Sequence, residues 1–414
     1  MKKLVLYAGL AVLLVGAIGT GAYYLGLRQG ENQGVVQSGP GKTHPLVPSG
    51  SPNSGIAAPP HPPVAGQAPQ GSSEGKVIHY QVGNSNVKAI LADGKTMWIG
   101  TSGGVIRYDS VSDQHRLFDV RSGLLSNGVF HLSKIDGQLV VGTYGGGLSL
   151  FDSATETWKN YNIQHGLADA FVYDVLKAKN GDIWVATWSG ANRVRGGALN
   201  DRDMWDKFTV KNTQGGLPND WVYGMREGRN GDIWLATEGG VALFRDGKWK
   251  NWKHAHGLGA PFKQVRDQIE FKRDPAKESS HHARQKIEQG LTGVDVAYNP
   301  NYIVSLEVDE DGTVWAGTWG AGLARFDGKT WRNYTMADGL PSSHIFMLRR
   351  DRAGNFWIGT SKGLALMKDG VFKVFKTSDG LFAENVFSLA LSEKGDLWVG
   401  GFGGVTRFVG IPGK

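Results

Sequence analysis

One unit recurs along most of this 414-residue chain and limits its fold more than any other feature. A Gly-bearing hairpin turn is followed by Trp-hydrophobic-Gly/Ala-Thr and then by a Gly-rich turn. It reads MWIGTSGG at Met97, LVVGTYGG at Leu139, IWVATWSG at Ile183 and IWLATEGG at Ile233. It continues as VWAGTWGAG at Val314, FWIGTSKG at Phe356 and LWVGGFGG at Leu397. Val140 stands where the other copies carry Trp98, Trp184, Trp234, Trp315, Trp357 and Trp398. Most spacings are 41–50 residues, and one, from Trp234 to Trp315, is 81.

That period suits a four-stranded propeller blade. Each unit resolves into a first strand, the Trp strand, a third strand after the Gly turn, and a fourth with aromatic residues three apart, as in Trp331 and Tyr334. The residue two after the Trp is always Gly or Ala. Side chains two apart share a strand face, and near a propeller axis the sheets converge, so that position must be small. Val77-Ile78-His79-Tyr80 precedes the first unit with the spacing of a fourth strand, which the last unit lacks. The expectation is therefore an all-β, seven-bladed propeller over residues 76–410, with four-stranded blades, closed by the N-terminal strand. The long spacing is read as a charged loop insertion at 261–300, with a short polar helix from Lys277 to Gln289, rather than as an eighth blade.

Residues 1–27 read as a transmembrane signal anchor. Lys2 and Lys3 precede an uncharged run from Leu4 to Leu27, and about 20 apolar residues suffice to cross a bilayer. The positive-inside rule then places the rest of the chain outside the cytoplasm; the competing reading is a cleaved signal peptide. The expected location is the bacterial inner membrane, single-pass, with the propeller in the periplasm or outside the cell. Residues 28–75 read as a disordered linker. Nine of the fifteen Pro lie between Pro40 and Pro69, and apolar residues there are too sparse to offset ordering entropy.

Composition removes several functions. The chain has no Cys, so disulfides and thiolate metal sites are excluded. The net charge of +7 is spread along the chain without a basic block, which argues against nucleic-acid binding.

The pattern GLP-S-N-x-V followed by D-x-x-G-x-LWIGT-x-GG-L-x-R-F-D resembles the two-component regulator propeller repeat. It appears here as Gly216-Leu217-Pro218-Asn219-Asp220-Trp221-Val222, as GNFWIGT at 354–360 and as GAGLARFDG at 320–328. The resemblance implies extracytoplasmic ligand sensing, often in fusion with histidine kinases. This sequence contains no kinase segment, so the resemblance implies a stand-alone sensor. Its partner would be a separate membrane or periplasmic protein such as a sensor kinase.

The turn after each Trp strand and the start of each first strand should open on one face. The large residues there are Tyr144, Phe171, Trp188, Trp221, Tyr302 and Trp319, with Phe402 across the ring and Glu238 and His344 among them. Aromatic faces beside polar groups suit a glycan or a peptide. The insertion leaves from the same face and is placed to form a lid. Glu238 and His344 are also a conceivable acid–base pair, for a lyase or hydrolase, but no catalytic residue is assigned. No cofactor or metal is expected: Asp182, Asp232 and Asp396 sit in hairpin turns, and His281-His282 are adjacent rather than four apart. A docking scaffold in the envelope is the remaining alternative.

Overall fold

A computed structural model describes residues 77–411 and the backbone of residues 65–66. The fold is an all-β propeller, and its sheets are antiparallel throughout. Five four-stranded blades begin at the strands Val129–Ile135, Val172–Lys177, Val222–Glu227, Asn299–Val308 and Ile345–Arg350. The remaining strands form one eight-stranded sheet.

The expectation of seven separate four-stranded blades is therefore corrected. The strand Val77–Asp93 runs unbroken for 17 residues. Its first part, from Val77↔Phe408 to Asn86↔Phe402, pairs with the C-terminal strand Phe402–Phe408. Its second part, from Val87 to Asp93, pairs with Thr96–Thr101. The pairing of Val77–Gln81 with Gly404–Phe408 joins the two ends of the repeat array, but the strand does not stop there. Backbone continuity through Gly83 fuses what the repeat pattern divides. The transmembrane helix expected at 1–27 and the linker at 28–75 lie outside the described residues, apart from the backbone of 65–66. Among the described residues no helix is long and apolar enough to cross a membrane.

The Trp strands lie between neighbouring sheets. Trp184 stacks on Phe208 of its own blade at 5.5 Å and meets Phe244 of the next at 5.3 Å. Trp357 and Trp398 are almost fully buried, and truncating such a side chain costs about 3–5 kcal/mol. The Thr that follows closes the turn beyond it. Thr237 is buried, donates its hydroxyl to Gly240 O at 2.8 Å and accepts from Gly239 N at 3.1 Å. Gly240 has φ 128°, and a Cβ there would lie 2.2 Å from Trp252 O, so only Gly fits.

The segment between the third and fourth complete blades carries helices and turns in place of strands: Phe262–Val265, Arg266–Gln268, Pro275–Lys277 and Ser280–Glu288. It has a small core of its own, in which Val265, Ile269, Val294 and Tyr298 pack with Ala260 and Ala321.

The small position two after the Trp generates a prediction. A Cβ on Gly359 would sit 2.6 Å from Val386 O, a backbone atom of the next sheet. Gly359→Ala should destabilise the fold by about 1–3 kcal/mol in urea unfolding. Ala186→Gly, where the Cβ is already accommodated, should cost no more than about 1 kcal/mol. Equal effects would show that inter-sheet convergence is not what selects this residue.

Candidate functional site

A β-bulge at the start of each complete blade builds the axis. The ladder between first and second strands shifts register at Val129/His131, Val172/Asp174, Val222/Gly224, Ile303/Ser305 and Ile345/Met347, and at Val87/Ala89 in the large sheet. The residue left over is Phe130, Tyr173, Tyr223, Val304, Phe346 or Lys88, and in the blade of Val304 it is Tyr302, two residues earlier, that carries the ring. A bulge re-aims a side chain out of the pleat, and these turn toward one another across neighbouring sheets. Phe130 lies 4.8 Å from Tyr173, Tyr173 4.9 Å from Tyr223, and Tyr223 4.8 Å from Tyr302. Tyr302 stacks on Trp319 at 5.7 Å, Phe346 meets Phe387 at 5.2 Å, and the Lys88 ammonium sits 4.2 Å over Phe387. The result is an aromatic collar on the inner strands. Sequence reading missed it, although its signal was present: one residue after the first-strand Val or Ile of nearly every unit.

Charged side chains pass from blade to blade on the same strands. His131 Nδ1 is 2.9 Å from Asp174, Asp174 is 3.3 Å from Arg226, and Arg226 is 3.4 Å from Glu307. Burial pushes the Asp174 carboxyl up, but His131, Arg226 and the Met225 N–H outweigh it and hold it at about 2. Two further cations on the inner strands, Lys88 and Arg349, are not bonded into this chain, although Arg349 feels the charges of Arg226, Glu307 and Asp174. Among the described residues, neither Lys88 nor Arg349 has a hydrogen-bond or ion-pair partner. Burial brings Lys88 down to about 8. Arg349 is lowered by burial first and then by the like charge of Arg226, against the opposing charges of Glu307 and Asp174, although its side chain is solvent-exposed. A group in contact with water yet surrounded by protein fits the wall of a narrow channel.

The expected mouth residues are present but divided. Tyr144, Phe171, Trp188 and Trp221 form a run of edge-to-face contacts at 4.6, 5.0 and 4.4 Å, and are half-buried, as is Phe402. Glu238, Tyr302, Trp319 and His344 are buried. They are not an open platform, because the insertion covers them. His281 stacks on Trp221 at 3.9 Å, and Phe271 lies parallel to Trp319 at 5.6 Å and edge-on to His344 at 4.6 Å. His281 and His282 reach Glu238 at 3.3 and 3.1 Å. Glu270 accepts from Ser361 Oγ at 2.7 Å, and Gln268 from Ser343 Oγ at 3.2 Å. Burial pushes Glu238 up, but hydrogen bonds from the two histidines hold it below its ordinary value. Tyr173, Tyr223 and Tyr302 are raised well above theirs, by burial first, with the Glu238 charge adding to it.

Glu238 and His344 do not meet as an acid–base pair. His344 donates from Nε2 to Ala297 O at 3.0 Å, and burial lowers it to about 3, so it is neutral near pH 7. Asp232 pairs with Arg245 and Asp396 with Arg407, while Asp182 accepts from Gly196 N at 2.8 Å. Among the described residues no group of three or more His, Cys, Asp or Glu is arranged to hold a metal ion.

The two component regulator propeller family model matches residues 166–189, 216–239, 297–320 and 339–362. No curated protein sequence matches the chain. Among solved structures, it is similar to the extracellular domains of the putative hybrid two component systems BT3049 and BT4673 from B. thetaiotaomicron. The first is 20% identical with a TM-score of 0.59, covering 78% of this chain and 39% of that one. The second is 16% identical with a TM-score of 0.54, covering 84% and 40%. The chain thus spans about two fifths of each of those domains. Virginiamycin B lyase from Staphylococcus aureus is 10% identical with a TM-score of 0.56, covering 82% of this chain and all of that one. At these identities the likeness is one of fold.

The buried His344 imposes a pH dependence on stability. Its folded value lies below its unfolded one, so its contribution is complete above about pH 6.5 and is lost as pH falls toward 3. Across that window the slope should approach about 1.4 kcal/mol per pH unit. His344→Gln should flatten it in urea titrations between pH 7 and 4; an unchanged slope would show that His344 is not the titrating group.

Proposed function

From a chain that carries the two component regulator propeller repeat in four segments, we propose a non-enzymatic binding propeller that works outside the cytoplasm. It recognises a ligand at its axis and passes the bound state to a separate membrane or periplasmic protein, such as a sensor kinase. The observation that carries this reading is the aromatic collar. Side chains from successive sheets converge there, and a ligand held among them would contact several blades at once. Flat, partly apolar ligands gain most from such walls, which favours glycans and short peptides. The extracellular sensor domains of similar fold support the sensing role and the location. The lyase of similar fold raises catalysis as the rival, and the separation of His344 from Glu238 counts against the acid–base pair it would need.

The test is a thermal-shift screen of oligosaccharides and short peptides against the purified chain, followed by calorimetry. A ligand that binds the collar should lose at least about tenfold in affinity, or 1.4 kcal/mol, in Phe130→Leu/Phe346→Leu, which keeps both positions apolar. Trp188→Ala, outside the collar, should change it far less. A ligand insensitive to the double variant but abolished by Trp188→Ala would move the site to the outer arc. Turnover of a bound ligand would establish the rival.

A further inference from the structure

The collar and the two unmatched cations lie on neighbouring strands. Phe346 and Arg349 share the strand Ile345–Arg350. Phe387 opens the next inner strand and touches Phe346 at 5.2 Å, and Lys88 follows with its ammonium over Phe387. Arg349 lies three positions beyond Phe346, roughly 10 Å along a strand. One sector of the axis therefore presents an ammonium, an apolar wall of two rings, and a guanidinium deeper along the same strand.

The other charges facing the axis are matched. Asp174 is taken by His131, Arg226 and the Met225 N–H, and Glu307 by Arg226. Glu238 is taken by His281 and His282. Neither Lys88 nor Arg349 has a carboxylate at ion-pair distance; Glu307 and Asp174, each already paired with Arg226, act on Arg349 only through their charge. A buried or enclosed charge without a partner is costly, and structural cations in this fold are paired, as Arg245 is with Asp232 and Arg350 with Asp309. The insertion touches the same blade at Ser343, His344, Ser361 and Lys362, but none of its contacts falls on Lys88, Phe346, Arg349 or Phe387.

We propose that this sector is a binding site for a small organic anion, with a carboxylate read by Lys88, a flat body laid against Phe387 and Phe346, and Arg349 taking a second anionic group where the ligand has one. This deepens the binding function proposed above and rests on it. Lys88 and the rings define the minimal ligand, an aromatic or ring-bearing carboxylate. Arg349 selects for a dianion of matching length.

The probes are benzoate, terephthalate, acetate and benzyl alcohol, measured by calorimetry and thermal shift on the full chain. Benzoate should bind, and terephthalate more tightly. Acetate, with charge but no ring, and benzyl alcohol, with a ring but no charge, should each bind at least tenfold more weakly. Lys88→Met should abolish benzoate binding and Lys88→Arg should restore it, which separates loss of charge from misfolding. Arg349→Met should reduce terephthalate to the affinity of benzoate. Failure of benzoate and terephthalate to bind the wild type, equal binding of benzyl alcohol, or unchanged binding to Lys88→Met would each overturn the proposal. If neutral glycans or peptides bind through Phe130 and Phe346 while the carboxylates do not, the anion site falls and the binding propeller stands. If no ligand of either kind binds, both fall.

Discussion

The close approach of each Trp strand to the next sheet is the constraint on which the structure depends. A Cβ on Gly100 would lie 2.5 Å from Val129, on Gly142 2.8 Å from Val172 O, on Gly317 2.6 Å from Ile345, and on Gly400 2.6 Å from Val87. Each contact joins the small position of one unit to the first-strand Val or Ile of the next. Real Cβ atoms do not tolerate such distances, so these contacts exist only because the side chain is missing. The large Trp two residues away fills the wider gap farther out, and interior packing density leaves neither position free to vary much. Convergence also brings the first strands side by side. Their bulged residues then have no choice but to meet, and the collar follows from the same geometry that packs the sheets.

The fold was legible wherever a residue type answers a local demand. Gly at the crowded position, Trp in the gap, Gly in positive-φ turns and the stray strand at Val77 all report their surroundings directly. Three features were not legible, each for a different reason. The fusion into an eight-stranded sheet depends on the pairing resuming at Asn86 after a register shift through Gly83, whose φ is 72°, a stretch that reads as a break between strands. The collar depends on a bulge, which alternation along a strand does not announce: an even pleat would place Tyr173 on the face opposite to Asp174, whereas the extra residue swings both toward the axis. The seating of the insertion depends on contacts between residues far apart in sequence, such as His281 with Glu238 and Glu270 with Ser361. No periodicity records those.

The mouth residues show how far a correct position can fall short of a correct role. Trp221, Glu238, Trp319 and His344 lie together at one end, as their register requires, and yet the insertion makes them its own docking surface. Its polar sequence, with Glu270, His281 and His282, was the hint that it faces charged partners. What it covers is Glu238, whose charge acts on Tyr173, Tyr223 and Tyr302 and which accepts from the Tyr223 hydroxyl at 3.5 Å. Two histidines of the insertion, at 3.3 and 3.1 Å, supply the partners that buried Glu238 needs.

The same reasoning distinguishes matched from unmatched charge along the axis. Water, not protein, neutralises most surface cations, and an unpaired Lys at the surface carries no message. Lys88 differs because enclosure has already brought it down to about 8, which means that its solvation by water is incomplete. A cation in that state gains more from an anion than a surface cation does, since attraction between charges grows as the surrounding dielectric falls. The collar removes water from the inner strands, and the blade-to-blade chain from His131 to Glu307 uses up the carboxylates beside it. Together they leave positive charge where the fold itself has no further use for it, and that surplus, more than the aromatic rings alone, gives the axis a preference among ligands.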